Sequence, residues 1–345
     1  MIKISKWIFL FVVIVVTKSS EVYSQTSYTV IFYNVENLFD TWDDPETSDE
    51  EFTPSGTRHW TRQHFELKLK MIYKALITAG EGQVPDIIGF AEIENLWVLE
   101  QLISQTPLIR FNYGIIHKES PDPRGIDVAL LYRKDRIKPI NYEFIPVNRA
   151  GKDPFKSRDI LRFSALLEGE QIDFYVNHWP SRSGGFVETQ EKRNVAARIL
   201  RQSLDSLFSR NLDSRTLIMG DFNATPKEKC FLSFLRAYPY PGNDHPTSLI
   251  NLSTLWTKQV EGTIRNGGQW EVFDQMICTR NLLNSSDLKI LINEGGICSF
   301  GFLTEPDPTY LGKKPFRTYM GPVYYGGVSD HFPVKVKIGV NKSKN

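Results

Sequence analysis

The chain has 345 residues, of which 41% are hydrophobic and 23% are charged. This composition excludes a disordered chain, which would be less apolar, and a membrane-embedded bundle, which would be less polar. The formal net charge of +1 also excludes a strongly basic protein that attracts polyanions over its whole surface.

The first 24 residues have the pattern of a secretory signal peptide. Lys3 and Lys6 precede an apolar run from Trp7 to Val16, and a polar stretch follows it. This run is too short to cross a bilayer, so we predict export to the periplasm or medium, with no integral membrane segment after cleavage. Removal of residues 1–24 takes away three lysines and one glutamate and changes the net charge from +1 to −1.

Residues 25–345 contain no linker, repeat or charge block, which predicts a single domain. Runs rich in β-branched and aromatic residues predict strands: Tyr28–Tyr33, Ile87–Ala91, Val128–Tyr132, Ile172–Val176, Thr216–Met219, Val272–Cys278 and Val334–Ile338. Apolar residues at helical spacing predict helices: His64–Ala79, Asn95–Ser104 and Thr189–Phe208. Long loops are expected at 41–61, 148–157 and 306–327. Mixed strands and helices predict a layered α/β domain.

Polar residues fall where the apolar runs end. The residues in question are Asn34, Glu36, Asn37, Glu92, Asn177, His178, Asp221, Asn223, Asp274, Gln275, Asp330 and His331. Because buried charges are costly unless they are paired or bound to metal, we expect these side chains to share one site. Carboxylate and amide oxygens without thiolates favour Mg²⁺, Mn²⁺ or Ca²⁺. The histidines suit proton transfer or phosphate contact.

Seven motifs resemble the endonuclease/exonuclease/phosphatase superfamily, and especially its secreted bacterial nuclease-like branch. In chain order they are FYNVENLFD (32–40), PDIIGFAEIEN (85–95), GIDVALLYR (125–133), VNHWPSR (176–182), MGDFNATP (219–226), FDQMI (273–277) and SDHFPV (329–334). The resemblance implies a four-layered α/β sandwich. In that fold, two mostly antiparallel β-sheets face each other and helices flank them.

The resemblance also implies roles for site residues. The implied metal ligands are Glu92, Glu36, Asn34 and Asp330. The implied catalytic residues are Asp221, Asn223, His178, Asp274 and His331. Residues predicted to contact substrate are Asn34, Asn177 and Arg182.

Within the catalytic set, Asp221 would orient or deprotonate the attacking water, and Asn223 would hold a phosphate oxygen. Asp274 would fix the tautomer of His331, which contacts the scissile phosphate together with His178. Whether Asn177 or His178 points into the site stays open, as does whether Arg124, Arg158 and Arg182 bind flanking phosphates or are solvated. Glu94 is expected to be solvated or to cap the next helix.

These residues predict a metal-dependent phosphodiesterase that acts by in-line attack of water. We expect a nuclease with little sequence preference, whose partner is nucleic acid or another phosphodiester, and no obligate protein partner. A phospholipid phosphodiesterase and a sugar or inositol phosphatase remain alternatives. A non-catalytic binding protein on the same fold is disfavoured because the acids and His331 are all present.

Overall fold

The computed structural model describes residues 25–148, 155–258 and 261–341, so the predicted signal peptide lies outside the described residues. The strands are β1 Gln25–Leu38, β2 Ile87–Ile93, β3 Tyr113–His117, β4 Asp127–Arg133, β5 Ile137–Ile145, β6 Ile160–Leu167, β7 Glu170–His178, β8 Thr216–Asp221, β9 Ala237–Pro239, β10 Leu249–Asn251, β11 Ile264–Asn266, β12 Gln269–Glu271, β13 Asp274–Thr279, β14 Leu288–Ile297, β15 Thr304–Pro306, β16 Lys313–Pro315, β17 Tyr319–Met320, β18 Val323–Tyr324 and β19 Val334–Asn341. The α-helices are α1 Arg62–Ala79, α2 Leu96–Ser104, α3 Phe186–Arg210 and α4 Arg280–Asn284. Within these ranges, no helix combines the length and the hydropathy needed to span a membrane.

Two large sheets carry the fold. A six-stranded sheet has the order β14-β19-β1-β2-β4-β3, and a seven-stranded sheet has the order β5-β6-β7-β8-β13-β10-β9. Most neighbouring strands are antiparallel, as predicted, but β1 pairs with β2, β7 with β8 and β9 with β10 in parallel. Parallel strands end at the same edge of a sheet, so each central pair presents two strand ends side by side.

The layers follow from the alternation of side chains along each strand. Leu217 and Met276 belong to the apolar core that joins the two sheets. Their neighbours Ile218 and Ile277 face the other way and pack with Leu200 of α3. Helices α1 and α2 pack on the six-stranded sheet. The predicted four-layered sandwich is therefore confirmed.

The predicted strands and helices are present in the structure, with differences of a few residues at their ends, but further strands, among them β3, β6 and β14, were not predicted. Residues Val272 and Phe273 lie outside strands, because β13 begins at Asp274. The edge strand β5 was not predicted; most of its residues are exposed, so its sequence has no apolar run. The predicted 306–327 loop contains the short strands β16 to β18.

Candidate active site

The end of β7 shows how alternation selects the residue that enters the site. Phe174 and Val176 face the core between the sheets, and His178 follows on the same side. Asn177 faces the opposite way, donates to the Met219 carbonyl at 3.3 Å and accepts from Trp179 Nε1 at 3.1 Å. The structure thus brings His178 into the site and places Asn177 behind it.

Asp221 and Asp274 lie opposite each other on the antiparallel strands β8 and β13. His331 Nδ1 is 2.7 Å from Asp274 Oδ2, and its Nε2 is 3.8 Å from Asp221 Oδ2. Burial alone would lower the pKa of His331, but the carboxylates of Asp274 and Asp221 hold it well above its usual value. The two carboxylates therefore favour the protonated form of His331, in which Nε2 can donate.

Asp221 is a buried carboxylate held by two hydrogen bonds. Its Oδ2 accepts from Asn34 Nδ2 at 3.0 Å, and its Oδ1 accepts from the Asn223 backbone N–H at 2.9 Å. Burial raises the pKa of Asp221 to about 6, although His331 acts in the opposite direction. A carboxylate with this pKa is ionised at pH 7 and more basic than an exposed aspartate, which suits a general base.

Bulges at the ends of β1 and β2 place the carboxylates of this sheet. The two strands pair in register up to Asn34 and Ala91, and pairing resumes only at Leu38 and Ile93. The intervening residues include Glu36, Asn37 and Glu92, with φ of 51°, 55° and 64°. Non-glycine residues seldom adopt this left-handed region, and bulges of this kind often re-aim side chains next to active sites.

Asn34 connects the two sheets across the site. Its Oδ1 accepts from the Glu36 backbone N–H at 3.0 Å. Its Nδ2 faces Glu92 Oε1 at 3.3 Å and Asp221 Oδ2 at 3.0 Å. The Glu36 N–H fixes the orientation of the amide, so Asn34 directs its nitrogen toward the carboxylates. This arrangement favours a role in holding Glu92 and Asp221 over metal ligation.

Glu36 is buried beside two cationic side chains. Its Oε2 accepts from the Thr318 backbone N–H at 2.7 Å, and its Oε1 lies 3.0 Å from Arg317 Nη2. The same Nη2 is 3.0 Å from Asp330 Oδ2. Burial and the Asp330 carboxylate raise the pKa of Glu36 to about 7, while Arg317 and Lys68 act to lower it. Negative charge is therefore crowded at this position.

Lys68 is a buried lysine of α1 beneath this carboxylate. Its Nζ donates to the Glu36 carbonyl and, at 2.8 Å, to Thr318 Oγ1. Burial lowers the pKa of Lys68 to about 8, and the Glu36 carboxylate opposes the shift. Lys68 thereby fixes the Glu36 loop to the segment that carries Arg317.

His178 is a neutral histidine between the two sheets. Its Nε2 lies 3.6 Å from Asp221 Oδ2 and 3.9 Å from Glu92 Oε1. Burial lowers the pKa of His178 well below its usual value, and Arg158 and Arg124 add to this effect. Its Nδ1 is buried and has no hydrogen-bond partner. A polar atom of this kind, in a site of carboxylates, is consistent with a ligand that is bound there during function.

Arg182 and Asn223 bind protein groups at the rim. Arg182 donates to the Asn223 carbonyl at 3.1 Å, to Glu271 at 2.6 Å and to Glu228 at 2.7 Å. The Asn223 side chain donates to the Trp179 carbonyl at 3.1 Å. The structure therefore places the Asn223 backbone N–H against Asp221 and leaves Arg182 in ion pairs.

The donors of the site fit a hard divalent cation, because they are carboxylates arranged around a buried centre. Of the described residues, Asp221, Asp274 and His331 form a group whose ligand atoms lie within 4.8 Å of one another. The predicted ligands Glu36 and Asp330 meet at Arg317, whereas Glu92 is held by Asn34 and by the Asn37 backbone N–H at 2.8 Å. The group of Asp221, Asp274 and His331 and the group of predicted ligands line the same edge of the sandwich.

Sequence reasoning assigned no site role to Lys68, Thr318 and Ser329, and it singled out Arg317 only as part of a basic and aromatic run, 313–317, that suits contact with nucleic acid. Ser329 Oγ donates to the Asn34 carbonyl at 2.7 Å. The sequence does contain a signal for Lys68: this charged residue lies on the apolar face of α1, between Phe65 and Leu69.

The expectation for Glu94 was wrong. Its side chain is 7% exposed and accepts from the Asp40 backbone N–H at 2.5 Å. Asn95 is the residue that caps α2, by accepting from Val98 N–H at 3.1 Å. Glu94 therefore lies in the protein interior, although it follows directly on the β2 strand end.

Comparisons with solved structures show the same fold at low sequence identity. An endonuclease/exonuclease/phosphatase family protein from Bacteroides thetaiotaomicron is 15% identical, with a TM-score of 0.55 over 92% of this chain and 96% of that one. The B. thetaiotaomicron mannosyl-6-phosphatase is 15% identical, with a TM-score of 0.55 over 90% and 99%. D. rerio TDP2 complexed with single strand DNA product is 12% identical, with a TM-score of 0.54 over 91% and 99%.

Sequence comparison gives the family. Among curated proteins, none matches the chain significantly. A model of the Endonuclease/Exonuclease/phosphatase family matches residues 29–340, which include all the strand-end residues described above. The chain therefore belongs to the endonuclease/exonuclease/phosphatase family.

Proposed function

We propose that the chain is an exported hydrolase of phosphoester bonds that depends on a divalent cation. The observation that carries the proposal is the position of the Asp274–His331 pair beside the buried Asp221 carboxylate. A charged donor and a base thus lie together at one sheet edge, as hydrolysis of a phosphoester requires.

Each side chain has a role that its surroundings support. Asp221, with its pKa raised to about 6 by burial, takes a proton from the attacking water. Protonated His331 donates from Nε2 to a phosphate oxygen, and Asp274 keeps it charged and oriented. His178, whose Nε2 lies 3.6 Å from Asp221 Oδ2, offers a second contact. These donors offset charge that develops on the phosphate oxygens.

Glu36, Glu92 and Asp330 would hold the cation, and Asn34 would orient Glu92. A divalent ion supplies Lewis-acid stabilisation of the phosphate charge when it is bound. Mg²⁺ is our first choice, with Mn²⁺ and Ca²⁺ as alternatives, because the donors are oxygens.

The first substrate candidate is nucleic acid, cut with little base preference. The groups that point into the site address phosphate alone, and phosphate contacts carry no sequence information. D. rerio TDP2, which shares the fold, is described as complexed with single strand DNA product.

A second candidate, a phosphomonoester of a sugar, is favoured by the pairing of the nearby arginines. Arg182 binds Glu228 and Glu271, and Arg158 binds Asp122 at 2.9 Å. Tracking a polynucleotide backbone needs cations that are available to phosphates. The fold neighbour from B. thetaiotaomicron is described as a mannosyl-6-phosphatase.

A metal-dependence screen tests the proposal. The purified chain would be assayed on plasmid DNA, RNA, sphingomyelin, mannose 6-phosphate and bis-p-nitrophenyl phosphate, with Mg²⁺, Mn²⁺, Ca²⁺ or EDTA. We expect turnover only with metal. Among substitutions of the proposed ligands, Glu92→Gln should cause the largest increase in the metal concentration needed for half-maximal turnover. Full turnover in EDTA would contradict metal dependence.

Mass spectrometry of the secreted protein tests export. An N-terminus between residues 18 and 28 is expected, and an intact Met1 in the membrane fraction would contradict export.

A further inference from the structure

Arg317 connects two carboxylates that are proposed above to hold the cation. Its Nη2 lies 3.0 Å from Glu36 Oε1 and 3.0 Å from Asp330 Oδ2, and its Nε lies 3.1 Å from Glu36 Oε1. The guanidinium is thus the positive partner of both side chains. The same two oxygens are among those that would hold the cation.

The guanidinium and a divalent ion cannot share these oxygens without strong repulsion. Nη2 lies 3.0 Å from each oxygen, so an ion bound directly to both oxygens would lie close to the guanidinium. Two positive charges close together in a partly buried site repel each other. Binding of the ion to Glu36 Oε1 and Asp330 Oδ2 therefore favours departure of Arg317 from them.

The surroundings allow the side chain to leave while its backbone stays in place. The Arg317 carbonyl accepts from Gly327 N–H at 3.2 Å, and the next residue, Thr318, donates its N–H to Glu36 Oε2, the oxygen that Arg317 does not use. The Arg317 side chain is 41% exposed. It borders an open groove of about 600 Å³, which Asn223, Tyr310 and Asp330 also line.

A released guanidinium would need a new anionic partner in this groove. The other arginines on its walls keep carboxylate partners of their own: Arg182 binds Glu228 and Glu271, and Arg265 lies 3.2 Å from Asp307. None of those carboxylates is a proposed metal ligand. Arginine matches the oxygens of phosphate through two parallel N–H donors. The substrate phosphate is the anion that the proposed function brings to this place.

We propose that Arg317 is a phosphate-binding residue, which Glu36 and Asp330 hold until a divalent cation binds these two carboxylates. The proposal rests on the proposed function, because it needs both the cation and a phosphate substrate. It assigns a substrate contact to the segment between β16 and β17.

Binding measurements on the full chain without its signal peptide test the proposal. Isothermal titration calorimetry would measure Mg²⁺ affinity, and then the affinity for inorganic phosphate at saturating Mg²⁺. In Arg317→Met, we expect Mg²⁺ to bind roughly tenfold more tightly and phosphate roughly tenfold more weakly, the size of one charge-assisted hydrogen bond. Arg317→Lys should give intermediate values for both constants, and it carries the test if Arg317→Met does not fold.

Arg136→Met is the matched control. Arg136 also pairs a half-exposed guanidinium with a buried carboxylate, that of Asp86, which precedes β2 at the end opposite to Glu92. Both affinities should stay at the wild-type values in this variant. If wild type binds Mg²⁺ but Arg317→Met leaves either affinity unchanged, this proposal is overturned and the proposed function stands. If the wild type binds none of Mg²⁺, Mn²⁺ and Ca²⁺, both are overturned.

Discussion

The Asp274 carboxylate is wholly buried, and its contact with His331 Nδ1 is 2.7 Å long. We expect Asp274→Asn and His331→Ala to lower kcat/KM by similar factors, roughly 10²–10⁴, because Asp274 acts by keeping His331 charged and oriented. The double variant should lose little more than either single variant, since the two residues act as one unit. Steady-state kinetics on the best substrate of the screen measures this.

Asp86→Asn is the control for that prediction, because Asp86 is also a buried, ion-paired carboxylate but lies away from the site. It should change stability and leave kcat unchanged. A double variant of Asp274 and His331 whose loss equals the product of the single losses would show that the two residues act independently.

The buried carboxyl group of Glu94 makes the stability of the protein depend on pH. Burial raises the pKa of Glu94 to about 9; the Asp40 N–H opposes the shift, and the carboxylates of Asp40 and Asp49 add to it. The unfolded chain releases this proton near pH 4.5, so the free energy of unfolding falls as pH rises from about 4.5 to about 9. Glu94→Gln, which stays neutral, should flatten this decline and be more stable than wild type at pH 8 by roughly 1–3 kcal/mol.

Urea unfolding at pH 5, 7 and 8 measures the effect. Glu100→Gln, on the exposed face of α2, is the control and should follow the wild-type curve. If the free energies of unfolding of Glu94→Gln and wild type changed with pH in parallel, Glu94 would titrate alike in the folded and unfolded chains.

At the scale of elements, the bulged ends of β1 and β2 aim the carboxylates. Asn37 has a φ of 55°, and its N–H binds Glu92 Oε2 at 2.8 Å. A β-branched residue is strained in this conformation, whereas glycine adopts it freely. The conformation of a single residue thus fixes the position of a proposed metal ligand.

Asn37→Val should therefore lower stability by about 1–2 kcal/mol and weaken Mg²⁺ binding, because it displaces Glu92. Asn37→Gly is the matched variant and should retain both properties. Denaturant unfolding and calorimetric titration with Mg²⁺ compare the two. Equal stability and equal metal affinity in Asn37→Val and Asn37→Gly would show that the bulge does not position Glu92.

At the scale of the whole molecule, the site lies between the two sheets, and Asn34 connects them directly. Carboxylates are crowded beside this junction, where burial and the Asp330 carboxylate raise the pKa of Glu36 to about 7. A cation that binds only the folded state would stabilise the entire sandwich.

We expect Mg²⁺ at 100 times its Kd to add about 2.7 kcal/mol to the free energy of unfolding and to raise the Tm by roughly 5 °C. Differential scanning calorimetry at constant ionic strength measures the shift. Glu92→Gln should reduce it strongly, while Glu100→Gln should keep it. A Tm that does not respond to Mg²⁺ in the wild type would show that the folded site does not bind Mg²⁺.

The sequence alone determined the family, the layered sandwich and most of the strand-end residues. Period-two and period-3.6 patterns are local, so β1, β2, β8 and α1 could be located without knowing what they contact. The chemistry of the site was also readable, because carboxylates and histidines directly after apolar runs are expensive unless they share a site.

Only the tertiary structure decided which side chains meet. The faces of Asn177 and His178 depend on which side of β7 packs against the other sheet, and the local pattern does not give this. Glu36 and Arg317 are 281 positions apart, and their contact exists because β1 pairs with β19 and thereby brings the chain's two ends to one edge. Pairing between strands is a long-range property of the folded chain, so the neighbours of a charged residue cannot be read from its own segment.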